Sequence, residues 1–283
     1  MKNRFGLPQL FITLLSATSV TAQVEVRVFA NSTGPGSDLD TTVVEVPADW
    51  SIIGGGATTN WVMPQPGQLL TSSYPLDEHH WVATSKAHSV SFPAMLSAFA
   101  IAIHNPGGRL YDVKIFARRS TTNADTSSMS ASVDAGYAMT GGGAQTVTAG
   151  VGQLLTASYP SSDTVWTANS KAHTVSSPGD IVAYAIGVKS KTGSPFPKVT
   201  RVASAASAPG EYPQNTLNVA ASFILTGGGA WVQYATPVGC LLTGSVPVGS
   251  FGWFAQAKDH SAADPTCTMT VFVLGITGAK LAY

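Results

Sequence analysis

Repetition constrains this chain more than any other feature. The stretch GGGATTNWVMPQPGQLLTSSYPLDEHHWVATSKAHSVSFP (54–93) recurs as GGGAQTVTAGVGQLLTASYPSSDTVWTANSKAHTVSSP (141–178) and GGGAWVQYATPVGCLLTGSVPVGSFGWFAQAKDHSAADP (227–265). Residues 69–93 align without a gap with 154–178 and 241–265. Upstream, Val28-Phe29-Ala30 corresponds to Ile115-Phe116-Ala117 and Arg201-Val202-Ala203; downstream, AFAIAI, AYAIGV and FVLGI are equivalent. A period of this length marks a supersecondary unit written out several times.

Each copy reads as six short strands separated by turn chemistry such as Ser-Thr-Gly-Pro-Gly-Ser, Pro-Gly and Tyr-Pro-Leu-Asp. In the first copy they are expected near 24–31, 41–46, 50–61, 69–74, 81–90 and 95–104. No segment beyond the N-terminus holds a helical period. The expected fold is all-β: three tandem homologous repeats of about 86 residues in one pseudo-three-fold body, a closed ring that is prism-like or trefoil-like. The expected partition is a signal peptide at 1–22, then repeats at 23–109, 110–197 and 198–283. The links HNPGGRL and SKTGSPF read as hairpins between copies, and the N-terminal strand is expected beside the C-terminal one, hiding sheet edges that invite aggregation.

Lys2 and Arg4, the mostly apolar run from Phe5 to Ala17 and the small residues Val20-Thr21-Ala22 form a secretory signal, with cleavage expected near Ala22. The expected location is therefore secreted, periplasmic or extracellular. There Cys240 and Cys267 are expected to form one disulfide. No later hydrophobic run has spanning length. Lys and Arg number 15, as do Asp and Glu; without Lys2 and Arg4 the balance is 13 against 15, or −2. Such a chain has no global field to gather nucleic acid or an anionic membrane. Charged residues are only 11% of the whole, which suits short strands better than long surface helices.

The GGGA runs lack the Lys-Ser/Thr of a Walker loop and the helix of a dinucleotide site, so they read as bulges or close packing of another backbone or ring. In Trp-x-Ala-x-Ser/Ala-Lys-Ala/Asp-His, alternate residues share a strand face. Trp81, Ala83, Ser85 and their equivalents form the core side. The other side carries Lys86 and His88, Lys171 and His173, Lys258 and His260. These six are the candidate ligand-binding residues. The alternative is that the lysines cap carbonyls or pack their stems while the histidines satisfy backbone groups at a turn. Asp77-Glu78-His79-His80, found in the first copy alone, is a conceivable metal or catalytic specialisation but more simply a solvated turn, and no metal or cofactor is expected.

No HExxH, GxSxG or recurring carboxylate pair is present, which argues against an enzyme. The function that fits best is a secreted multivalent binding protein for extracellular glycans or polysaccharides, with up to three equivalent sites. Polar side chains would bond hydroxyls, and aromatics such as Trp61, Tyr74 or Tyr159 would stack on sugar faces. In symmetry alone the chain resembles trefoil and prism lectins; no lectin motif is present. Two alternatives are a polymer-degrading hydrolase with one specialised copy and a non-catalytic matrix or adhesive protein.

Overall fold

The computed structural model describes residues 23–60, 66–87, 90–148, 152–235, 239–259 and 264–282. The expected signal peptide, Trp61, His88 and His260 lie outside the described residues. Strand is the main element among those described, with no α-helix. The first third holds β1 (Val24–Ser32), β2 (Leu39–Glu45), β3 (Trp50–Thr58), β4 (Gln68–Pro75), β5 (His80–Ala87) and β6 (Ser97–His104). The second holds β7 (Tyr111–Arg119), β8 (Thr126–Ser132), β9 (Ala138–Thr148), β10 (Leu154–Pro160), β11 (Val165–Lys171) and β12 (Gly179–Ser190). The last holds β13 (Val199–Ala203), β14 (Gln214–Asn218), β15 (Phe223–Gln233), β16 (Leu241–Val248), β17 (Gly252–Lys258), β18 (Thr268–Thr277) and β19 (Ala279–Leu281).

These strands form three sheets. Sheet I has the order β14-β17-β16-β3-β6-β1-β19, sheet II β2-β5-β4-β9-β12-β7, and sheet III β13-β18-β15-β10-β11-β8. Every pairing is antiparallel except β1 with β19, where Val24–Val26 run parallel to Ala279–Leu281. Each sheet draws strands from two thirds of the chain: β4 pairs with β9, β10 with β15, and β16 with β3.

The links between thirds are not hairpins. β6 lies in sheet I and β7 in sheet II; β12 lies in sheet II and β13 in sheet III. At the first link, Asn105 turns the chain from one sheet into the next. Its Oδ1 accepts the N–H groups of Leu110 and Tyr111, and its Nδ2 donates to Ser51 Oγ and Tyr111 O. A short Gly-Pro-rich connection can thus change sheets when one buried amide satisfies the freed backbone.

The glycine runs sit where three backbones meet. Pairing slips by one residue between Ile52 and Gly54, between Ile186 and Gly187 opposite Gly141, and between Leu225 and Gly227, giving a bulge at each run. The leading glycines touch one another's strands: a Cβ on Gly54 would strike Thr226 O, on Gly141 Ile53 O, and on Gly227 Thr140 O. The second glycines lie under indoles, Gly55 beneath Trp81, Gly142 beneath Trp166 and Gly228 beneath Trp253. The indole N–H groups donate to Ser73, Ser158 and Ser245 at 3.1, 3.0 and 2.8 Å. All three rings are inaccessible to solvent, and Leu69, Leu154 and Leu241 converge in a cluster of their own. Truncating one such indole to alanine costs on the order of 3–5 kcal/mol.

Candidate ligand-binding face

Alternation along β5, β11 and β17 places Trp81, Trp166 and Trp253, with the alanines that follow them, inside the core. The lysines end the opposite row, and all three are at least half-buried. Lys171 and Lys258 are each 3% exposed, while Lys86 is half-buried with its amine against Gly152. Lys171 Nζ donates to Gly239 O at 2.6 Å and lies 4.1 Å above the Tyr234 ring. Burial pulls Lys171 down to about 8, partly opposed by Asp264 and Asp259, and burial alone does the same to Lys258. Lys86 is lowered by the same cause. His173 is buried. At Asp77, Oδ1 accepts the N–H groups of His79 and His80 at 2.7 and 2.8 Å and lies 2.9 Å from His80 Nδ1, so the carboxylate is turned into its own loop.

The outward sides of the sheets differ more than their backbones do. In sheet III, Tyr159 of β10 and Trp231 of β15 stack with ring centres 5.6 Å apart and planes within 5°. Phe272 of β18 backs Tyr159 at 4.8 Å. Trp231 and Tyr159 are half-exposed, and burial raises the Tyr159 hydroxyl above its ordinary range. A shallow cavity of about 180 Å³ opens beside Trp231, lined by Thr156, Asn169, Gln233 and Tyr234.

Polar partners orient this cavity's amides. Asn169 Oδ1 accepts from Ser128 at 2.7 Å, and Gln233 Oε1 accepts from Thr268 at 2.9 Å. With both carbonyl oxygens engaged, the two NH₂ groups are the ends left to donate outward. Ser130 and Thr167 share a hydrogen bond at 2.8 Å, and Thr167 donates to Ser161 at 2.8 Å, extending a polar strip along the plate.

The matching positions of sheet II hold Tyr74, Gln145 and Tyr184. The two rings stack at 5.1 Å, but Tyr184 Oη donates to Gln145 Oε1 at 2.6 Å and Gln145 Nε2 donates to Tyr74 Oη at 3.2 Å. The amide is consumed between the rings, and Tyr184 is pushed up to about 12 by burial and by Tyr74. Sheet I has Val246, Thr58 and Phe99 at the same places. Sequence reasoning singled out Tyr159 but not Trp231 or Gln233. The signal was an aligned column, Thr58, Gln145 and Trp231, in which an outward polar position becomes an indole.

No protein-family profile matches the chain, and no curated protein is similar to it. The geometry of these faces therefore carries the functional reading.

Proposed function

We propose that the chain is a secreted carbohydrate-binding protein whose principal site is the outer face of sheet III. The observation that carries this reading is the half-exposed Tyr159–Trp231 plate with the Asn169 and Gln233 amides at its edge. A pyranose has an apolar C–H face and a rim of hydroxyls. It needs a flat ring to cover the one and fixed donors to meet the other, and this face supplies both. Lys86 is the member of the lysine row with access to a glycan hydroxyl; Lys171, Lys258 and His173 hold neighbouring segments together in this reading.

We also infer that three tandem copies build one closed pseudo-three-fold body. Three observations support it: the same sheet order arises three times, β16 of the last third pairs with β3 of the first, and each indole rests on an equivalent glycine. The disulfide suits an oxidising compartment, and no helix among the described residues is long and apolar enough to cross a membrane.

Affinity electrophoresis through gels containing β-glucan, mannan, galactan or arabinoxylan tests the assignment. Wild type is expected to be retarded by at least one polymer and Trp231→Ala by none. Retardation that survives Trp231→Ala, or no retardation in any gel and no signal on a glycan array, refutes it.

A further inference from the structure

The last third departs from the other two at positions that meet in space. In the first, Gln68 Oε1 accepts from Ser85 while Gln68 Nε2 donates to Ser37 O and Asp40; in the second, Gln153 and Ser170 form the same pair. In the last, these positions are Cys240 and Ala257, and the alanine after the repeated lysine (Ala87, Ala172) becomes Asp259. Cys240 is bonded to Cys267. Asp259 Oδ1 lies 2.8 Å from Cys240 Sγ and 3.7 Å from Cys267 Sγ, and the three donor atoms fall within 4.8 Å of one another. Both cysteines are buried and Asp259 is half-buried. The Asp264 N–H donates to Asp259 Oδ2 and fixes the direction of the carboxylate. A structural disulfide needs no acid against its sulfurs. Two sulfurs and one oriented carboxylate are a donor set for a borderline-soft divalent cation, with water in a fourth tetrahedral position.

We propose that Cys240, Cys267 and Asp259 are a redox-gated site for a divalent cation of the zinc class. A dithiol reductant supplies two electrons and two protons: the S–S bond breaks, two thiols form, and the reductant leaves as its own disulfide. Cation binding then releases both thiol protons to solvent, leaving two thiolates and the carboxylate as ligands. Reoxidation by thiol–disulfide exchange passes the two electrons to a small-molecule disulfide, which leaves as two thiolates, remakes the Cys240–Cys267 bond and expels the ion.

The test uses the full chain, reduced with a dithiol, freed of it without air, and titrated with Co²⁺. One ion per chain is expected, with thiolate-to-cobalt charge-transfer bands and the visible bands of a tetrahedral site. Oxidised wild type, of the same fold, is expected to show none. Asp259→Asn keeps the side-chain shape and is expected to weaken binding about 10-fold or more. Circular dichroism and a thiol count accompany each titration. Two free thiols in a folded chain without these bands, equal binding by the oxidised form, unchanged binding by Asp259→Asn, or thiols freed only on unfolding would each overturn the proposal.

Discussion

Sheets I and III follow corresponding strand orders, β19 apart, and present different surfaces. Where sheet III carries Tyr159, Trp231 and Phe272, sheet I carries Val246, Thr58 and Phe99. The interior face of each sheet has no such freedom, because indole, glycine and serine fix one another there. The outward residues of an antiparallel sheet alternate with the buried ones and can change without disturbing them. Sheet II also stacks two rings, but its Gln145 amide is spent on two tyrosine hydroxyls.

The largest expected effect is on sheet III itself. Trp231→Ala should weaken binding to the retarding polysaccharide by about 100-fold, or roughly 2.7 kcal/mol, in titration calorimetry. Tyr74→Ala on sheet II should change it by less than about twofold, and an equal loss there would erase the contrast between the sheets. A smaller effect is expected from building the plate where it is absent. Thr58→Trp with Val246→Tyr should give sheet I measurable affinity in a Trp231→Ala background, restoring about a tenth of what was lost. A folded double variant that gains nothing shows that rings are not what separates the two faces. Asn169→Ala should cost about 5- to 10-fold, the range for one hydrogen bond of roughly 1–1.5 kcal/mol.

The smallest effect concerns stability at the edge of sheet III. Lys171 titrates near 8 in the folded chain against an ordinary 10.5, chiefly because it is buried. Between those values the unfolded chain holds the proton that the folded chain has released, so stability rises with pH from about 8 to 10.5. Below 8 the cost of burying the charge is present in full. Melting temperatures from pH 7 to 10.5 should climb less steeply for Lys171→Met than for wild type; identical slopes would mean that the buried amine is not the titrating group.

Much of this was legible because short-range pattern decides it. Strands expected at 24–31, 69–74 and 95–104 are found at Val24–Ser32, Gln68–Pro75 and Ser97–His104. The alternation through Trp81, Ala83 and Ser85 marks a buried row, and the disulfide joins the two cysteines expected to pair. Alternation says which side of a strand a residue leaves by, not what covers that side. Lys171 stands on the polar row yet is buried, because Gly239 and Tyr234 arrive from the last third of the chain. The first link between thirds differs from the expected hairpin for a related reason: Pro-Gly-Gly is compatible with a hairpin or with a change of sheet, and the hydrogen bonds of the buried Asn105 decide between them. Repetition points away from Trp231, whereas the proposed sugar plate depends on this residue, which does not repeat.

The indole-on-glycine contact also limits how this sequence can drift. A methyl group at Gly142 would strike both the Trp166 ring and the Tyr184 carbonyl oxygen, and a smaller ring at 166 leaves a void while residue 142 remains glycine. Neither residue can change alone without loss. Gly142→Ala and Trp166→Phe should each destabilise the fold, and in a double-mutant cycle the smaller ring should relieve only the indole's part of the clash, because the Tyr184 carbonyl oxygen stays in place. The three pairs would thus be the slowest-changing positions in any lineage that carries this chain, while the outward faces stay free to acquire or lose ligands.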